Sequence, residues 1–272
     1  MEQRKISRTQ MLFRWPIPAV CLALILALVP ASSGRSQTAA PAPLGSCQAP
    51  QDPLAQARRE LLTHLEKANK DSNLLDQVQK IINFILEKPA EQPSQALATM
   101  GPKTLPGWLS PQNTRLLTGR PNFSWQAVPG TRGYRVELFQ GNPEAGIRLW
   151  EATVSQARLS YPCQRPSLQP GNSYIWKVWP AGSQKAAQGQ FQVATPEEIS
   201  KIRAGARDLK RDLGKALPES RVLLLVGGFY AQQGYHLAAL GELARGRKLA
   251  PADPLLQDAD RKTRQAMGLT DD

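Results

Sequence analysis

The spacing of the apolar residues changes twice along this chain of 272 residues. Between residues 53 and 88, and again from residue 197, apolar residues recur every three to four positions, which is the period of an amphipathic helix. Between residues 112 and 196 they alternate with polar residues, which is the period of a β-strand with one buried face. The chain therefore predicts an α+β multidomain protein with a helical hairpin at 53–88, a β-sandwich at 112–196 and a helical unit at 197–272.

The predicted hairpin consists of two amphipathic helices. Asp52 and Pro53 form a helix start, with Asp as the N-cap and Pro at the first helical position. One apolar stripe follows in each helix, and the second ends before Pro89. Two helices cannot cover their own apolar stripes, so the hairpin should dock on another part of the chain. The segments 41–52 and 89–111 are rich in Ala, Pro, Ser and Gln and are predicted linkers.

The central region is predicted to be an antiparallel sandwich of short strands. Turn signals containing Gly and Pro separate the alternating segments, as expected for such a fold. Its inward-facing aromatic positions include Trp125, Tyr134 and Trp176, and aromatic residues commonly fill the core of a sandwich. Glu137 alternates with these positions, so it should face solvent.

Two stretches of this region resemble a known β-sandwich family. The run from Arg120 to Trp125, followed by Val128-Pro129-Gly130 and Gly133-Tyr134-Arg135-Val136, resembles strands B and C of a fibronectin type III domain. The run from Leu168 to Tyr174 resembles the corner that leads into strand F of that fold. The resemblance implies that the Tyr174 hydroxyl bonds back across the turn and that Leu168 packs beneath the ring. It says little about a ligand.

The last region begins with a helix-capping signal and contains one repeat-like unit. Thr195, Pro196 and Glu198 form a capping box before an apolar stripe. Residues 223–251 resemble a tetratricopeptide repeat, and the positions that carry the resemblance are Gly227, Tyr230, Ala239 and Pro251. Leu243 and Gly246 depart from the usual pattern, and Asp253-Pro254 starts a further helix. A single repeat is not a solenoid, so flanking helices should cap it.

The N-terminus has the three parts of a secretory signal peptide. Basic residues precede the apolar run Ile17–Val29, and small residues follow it, with cleavage expected near residue 32 or 41. Residues 1–40 are therefore a predicted signal peptide, and the alternative is an uncleaved membrane anchor. After export, Cys47 and Cys163 would meet an oxidising compartment, where they could pair or remain unpaired.

The charge is concentrated in the predicted sandwich. The formal net charge is +12, and the predicted signal carries four of these units. Residues 112–196 hold nine basic and three acidic residues. An exported protein without a recognition helix is not expected to bind nucleic acid. An anionic glycan, cell-wall polymer or lipid surface fits this charge better, and a solvated strand face is the alternative.

The sequence carries no catalytic or metal-binding signature. It has two histidines, His64 and His236, and both are predicted to be surface residues. Glu137, Glu144 and Glu151 are the only acids in the predicted sandwich, and none forms a motif for acid–base chemistry. The prediction is a protein that is not an enzyme and needs no cofactor.

The predicted function is therefore binding alone. The domain combination resembles exported interaction proteins of the bacterial envelope, which implies a scaffold for envelope protein or peptide partners. The groove between the repeat helices and an exposed face or edge of the sheet are the expected contact surfaces. The alternative is a module that binds glycan or cell-wall polymer through the basic sandwich face. Its candidate contact residues are Trp179, Arg135 and Lys177.

Overall fold

The computed structural model describes residues 52–68, 72–86, 105–141 and 146–269, all of which belong to one unit that begins at Gln48. These residues form six helices and two sheets, so the α+β class is confirmed. The predicted signal peptide, Cys47, Glu144 and most of both predicted linkers lie outside the described residues. In the part that is described, no helix is long and apolar enough to cross a bilayer.

The helices are α1 (Pro53–Ala68), α2 (Ser72–Leu86), α3 (Pro196–Leu213), α4 (Glu219–Gln232), α5 (His236–Leu249) and α6 (Pro254–Ala266). Three helix starts follow the sequence signals. Asp52 accepts a hydrogen bond from the Leu54 amide at 3.0 Å, and Asp253 accepts bonds from two amides of α6. Thr195 and Glu198 form the complete capping box. These caps satisfy amides that a helix leaves unpaired at its N-terminus.

The two N-terminal helices share one apolar core with the four C-terminal helices. The buried stripes of α1 and α2 pack against α4 and α6. Gly228 permits the close approach of α2 to α4, because a Cβ at this position would lie 2.6 Å from Ile81 Cγ2 and 2.5 Å from Ile85 Cδ1. Lys262 on α6 donates a 2.7 Å hydrogen bond to the carbonyl of Ile85, near the end of α2. The hairpin thus docks on helices that follow it by more than a hundred residues.

Eight strands build the two sheets of the sandwich. They are β1 (Leu109–Ser110), β2 (Thr114–Leu116), β3 (Asn122–Trp125), β4 (Tyr134–Gln140), β5 (Ile147–Val154), β6 (Arg158–Ser160), β7 (Ser173–Pro180) and β8 (Ala187–Val193). One sheet has the order β1-β3-β6 and the other β2-β8-β7-β4-β5. Strand β2 pairs in parallel with β8, whereas the other pairs are antiparallel.

Two features of the sandwich differ from the sequence prediction. Strand β1 lies within the predicted linker 89–111, because a strand of two residues is too short to show an alternating pattern. The sheet is not purely antiparallel, because the chain passes from one sheet to the other between β1 and β2 and then runs alongside β8. Between the sheets lies an aromatic core, in which Phe123 contacts the rings of Trp150, Trp176 and Phe191.

The sandwich joins the helices through strand β2. The amide of Arg115 donates a 2.8 Å hydrogen bond to the carbonyl of Gly234, in the turn between α4 and α5. The Arg115 guanidinium pairs with Glu198 on α3 and lies 5.1 Å from the ring centroid of Tyr235. Backbone and side chain of one residue therefore connect the sheet to two parts of the helical region.

Candidate interaction surfaces

A groove of about 670 Å³ runs along α3. Helix α4 supplies its floor, and α5 contributes one residue to its other wall. The lining combines apolar and basic side chains with a single acid: Pro196, Ile199, Ser200, Arg203, Ala206, Arg207, Lys210, Val226, Tyr230 and Glu242. Because α3 is amphipathic, its buried stripe (Ile202, Ala206, Leu209 and Leu213) holds it against the helical core and leaves the neighbouring stripe facing the groove.

Three exposed cations form a ridge on this groove. Arg203, Arg207 and Lys210 follow one another at four and three residues, so they lie on one face of α3. None of the three has an ion-pair partner within residues 52–68, 72–86, 105–141 and 146–269. Glu242, the acid of the opposite wall, pairs with Arg245 at 3.0 Å. The groove thus presents uncompensated positive charge beside an apolar floor.

The floor also carries a polar group without a partner. Tyr230 is only 9% exposed, and its hydroxyl makes no hydrogen bond to another described residue. Burial raises the pKa of Tyr230, the carboxylate of Glu242 raises it further, and the Arg203 charge opposes both. The phenol therefore stays protonated at neutral pH and offers a hydrogen-bond donor at the base of the groove.

The outer face of the five-stranded sheet is the second candidate surface. Arg135 lies opposite Trp179, and Glu137 lies opposite Lys177 in the pairing of β4 with β7. The Arg135 guanidinium lies 4.4 Å from the Trp179 ring centroid, and the Lys177 ammonium lies 5.5 Å from that of Phe139. The structure therefore places Trp179, Arg135 and Lys177 together on one face.

The prediction that Glu137 faces solvent is wrong. Its side chain projects from the outer face of the sheet, but the residue is only 8% exposed. Arg135 and Arg148 cover it, with nitrogen–oxygen distances of 3.7 Å and 3.5 Å. Long cationic side chains from two neighbouring positions can bury a central carboxylate, which residue alternation alone does not indicate.

These contacts leave the sheet face less available to a ligand than the groove. Arg135 covers one side of the Trp179 indole and also contacts Glu137. Arg148 pairs with Glu151 at 2.8 Å as well as with Glu137. Much of the positive charge on this face is thus neutralised within the sheet. The net positive charge of the sandwich is therefore not enough to create an open site for an anionic ligand.

The predicted sandwich residues lie in or beside its core. Trp125 is 2% exposed and packs edge-on against Tyr134, with 5.2 Å between their ring centroids. The Tyr174 hydroxyl donates a 3.1 Å hydrogen bond to the carbonyl of Gln169. Leu168 is buried in the same core. The turn before β7 is therefore tied to the strand by the tyrosine.

The predicted repeat positions lie where α4 meets α5. A Cβ at Gly227 would lie 2.8 Å from Leu243 Cγ, so the glycine lets the two helices approach closely. Ala239 is fully buried at the same contact. Tyr230 follows on α4 and lines the groove, and Pro251 lies just after α5.

Two groups of residues were missed or misassigned from the sequence. The net charge of the C-terminal region does not indicate the basic ridge of α3, because acidic residues nearly balance the basic ones. A helical-wheel plot of α3 does show that the three cations lie on one face. His236 is not a plain surface residue, since its Nδ1 is buried without a partner in the described residues.

No three His, Cys, Asp or Glu side chains within the described ranges lie close enough to hold a metal ion. Cys163 is exposed.

Comparison with known proteins adds little to this description. No family model matches the chain, and no curated protein matches it. Among solved structures, the chain is similar to the solution structure of the fn3 domain of the human collagen alpha-1(XX) chain. The two are 18% identical over 37% of this chain and 93% of that one, with a TM-score of 0.28. The likeness to a fibronectin type III domain is weak, and the sandwich is defined here by its own two sheets and shared core.

Proposed function

We propose that this protein is a non-enzymatic interaction protein that binds a peptide segment of a protein partner in the groove along α3. One observation carries the proposal, namely the apolar groove that leaves three cations and a tyrosine hydroxyl without partners in the described residues. Peptide-binding grooves combine an apolar floor with a few polar groups that fix the orientation of the ligand. Nothing in this arrangement requires a reaction.

The proposal includes an architecture and a location. The sandwich is a fibronectin type III-like module, and α4 with α5 is a tetratricopeptide-like unit flanked by α3 and α6. The hairpin of α1 and α2 caps this unit, and its packing against α4 and α6 supports this.

The proposed export to the bacterial envelope is based on the signal-like N-terminus. N-terminal sequencing of the protein from its natural host tests this, and a mature chain that begins at Met1 would contradict cleavage.

Site-specific photocrosslinking tests the proposed groove. A benzophenone amino acid replaces Ser200, an exposed residue of the groove, and in the matched control it replaces Gln188, an exposed residue of β8. We expect a discrete crosslinked protein in intact cells from position 200 and none from position 188. A product from position 188 alone would move the binding site to the sandwich.

A second candidate function is binding of a glycan or cell-wall polymer by the sheet face. Trp179, Arg135 and Lys177 on one face favour it, because an indole flanked by cations can stack on a sugar and attract an anionic polymer. Cosedimentation with insoluble cell wall is the test. If this function holds, Trp179→Ala loses binding and Arg203→Ala, in the groove, retains it. Failure of the wild-type protein to cosediment would remove this candidate.

A further inference from the structure

We infer that the segment bound in the α3 groove is acidic as well as apolar, with its carboxylates paired to Arg203, Arg207 and Lys210 and one of its oxygen atoms accepting a hydrogen bond from Tyr230. This inference rests on the proposed function and names the chemistry of the partner. It is carried by two independent features, the cationic ridge and the Tyr230 hydroxyl in the groove, neither of which has a partner in the described residues.

The ridge is unpaired because of how the fold distributes the acids of α3. Asp208 and Asp212 both contact Arg211, which does not line the groove. Glu198 is held by Arg115 of the sandwich. Three of the four acids of α3 are therefore committed to other partners, and the fourth, Glu197, lies six residues before Arg203 and outside the i+3 and i+4 spacing that brings helical side chains together. A bound segment can supply the missing carboxylates without breaking any of these ion pairs.

The geometry of the ridge sets the spacing of the complementary charges. Successive cations are four and three residues apart, which corresponds to roughly 6 Å and 4.5 Å along the helix axis. The lining from Pro196 to Lys210 extends about 21 Å on the same basis. This length accommodates about four turns of a helical segment or about six residues of an extended one.

The floor distinguishes a peptide from a purely electrostatic ligand. Ile199, Ala206 and Val226 line the groove beside the cations, so a ligand that fills it must bring apolar side chains to cover them. Most of the Tyr230 side chain is buried, and its hydroxyl faces the groove without an acceptor in the described residues. A carboxylate or carbonyl oxygen at the base of the groove provides that acceptor.

The charge of the ridge and the shape of the site exclude two other occupants. A basic segment would place like charges beside Arg203 and Arg207, with nothing in the groove to screen them except Glu242, which Arg245 already holds. A lipid surface would reach the exposed ridge but not the floor, because a planar bilayer cannot enter a groove between helices. An acidic and apolar peptide satisfies the ridge, the floor and the tyrosine together.

The test uses the full-length protein and fluorescently labelled peptides of 16 residues. One peptide carries Glu at the ridge spacing beside a Leu face, and the second has Lys in place of each Glu. We expect saturable binding of the Glu peptide, at least ten-fold tighter than that of the Lys peptide, and weakening as salt is raised from 50 to 500 mM. Equal binding of the two peptides would overturn the inference.

Variants of the ridge, of Tyr230 and of a neighbouring paired cation show which residues bind the Glu peptide. The double variant Arg203→Gln/Arg207→Gln should weaken binding of the Glu peptide about ten-fold, since it removes two of the three cations that pair with the carboxylates of the peptide. The control Arg211→Gln removes a cation of the same helix that is already paired, so binding should stay within two-fold. Tyr230→Phe should weaken binding about three-fold to ten-fold with an unchanged unfolding midpoint, because no hydrogen bond between described residues is lost. Equal effects of Arg211→Gln and the double variant would contradict the site.

Unbiased peptide display on the immobilised protein distinguishes a failure of this inference from a failure of the proposed peptide-binding function. Enrichment of acidic–apolar sequences that compete with the Glu peptide supports both. Enrichment of peptides without acidic bias that still crosslink at position 200 would overturn this inference and keep the proposed function. Failure of any peptide to enrich would overturn both. Binding to phosphatidylglycerol vesicles that is lost in the double variant, without peptide binding, would instead assign the ridge to lipid.

Discussion

Gly228 on α4 lies at a close contact between α4 and α2. Any side chain here would meet Ile81 and Ile85 of α2. We expect Gly228→Val to lower the unfolding free energy by about 2 kcal/mol, because overpacking a close helix contact typically costs about 1–3 kcal/mol. The matched control is Gly241→Val, since Gly241 of α5 has nothing within 4 Å of its Cβ position. Urea denaturation of both variants checks this, and equal stability would show that the hairpin does not pack tightly at Gly228.

His236 makes stability depend on pH. Burial lowers its pKa below the ordinary value of 6.5, so the unfolded chain takes up the proton more readily than the folded protein does. The free energy of unfolding is therefore not reduced by this histidine above about pH 6.5, and it decreases as the pH falls below that value. Glu198, whose pKa is lowered mainly by its hydrogen bond to the Thr195 backbone, adds a similar loss only at lower pH.

Chemical denaturation at pH 8 and pH 5.5 tests the histidine. Wild-type protein should lose stability between these values, and His236→Gln should lose less. The control is His64→Gln, an exposed residue of α1, which should keep the wild-type pH dependence. If His236→Gln shows an unchanged pH dependence, the loss belongs to another group.

At the scale of elements, α2 depends on a contact made by the last helix. Lys262 on α6 donates to the carbonyl of Ile85 and pairs with the buried Asp258 at 2.9 Å. Lys262→Met retains the aliphatic stem but removes the donor. We expect a loss of about 1–3 kcal/mol, because a nearly buried acceptor loses its partner and Asp258 keeps only Arg261.

Hydrogen exchange can localise this loss. Faster amide exchange in α2 should accompany Lys262→Met, whereas the control Lys248→Met, an exposed position of α5, should leave α2 unchanged. Unaltered exchange in α2 would mean that its C-terminal end is held by other contacts.

At the scale of the whole molecule, Arg115 couples the sandwich to the helices. All five described tryptophans belong to the sandwich region, at positions 108, 125, 150, 176 and 179. Tryptophan fluorescence therefore reports the sandwich, while circular dichroism at 222 nm reports the helices. In the wild-type protein we expect both signals to unfold in one coincident transition.

The variant Arg115→Ala should separate these two transitions. It removes a partly exposed ion pair with Glu198 and a cation–π contact with Tyr235, which together contribute about 1–2 kcal/mol. Arg120→Ala is the control, because the Arg120 side chain donates to the carbonyls of Pro162 and Arg165, both within the sandwich. It should shift the fluorescence and circular dichroism curves together to lower denaturant concentration and leave them coincident. Coincident curves for Arg115→Ala would show that other contacts join the two parts.

The candidate site was only partly accessible from the sequence. The sequence named Trp179, Arg135 and Lys177 as candidates, but the pairing of β4 with β7 was needed to show that the three share one face. The sequence did not show that Arg135 covers Trp179 or that Glu137 is buried, because these contacts depend on the register between strands. Tyr230 was predicted from the sequence as a repeat position, but its place in the groove depends on the packing of α3.

The sequence by itself determined the local structure of this protein. The apolar periods predicted helices and strands, and short signals such as the capping box of Thr195 and Glu198 marked helix starts, since these depend on residues within one helical turn. Tertiary structure alone decided that the hairpin packs on α4 and α6, and that α3 keeps three cations unpaired beside an apolar floor. The physical reason is that packing between distant segments depends on which surfaces meet, and no local pattern encodes that choice.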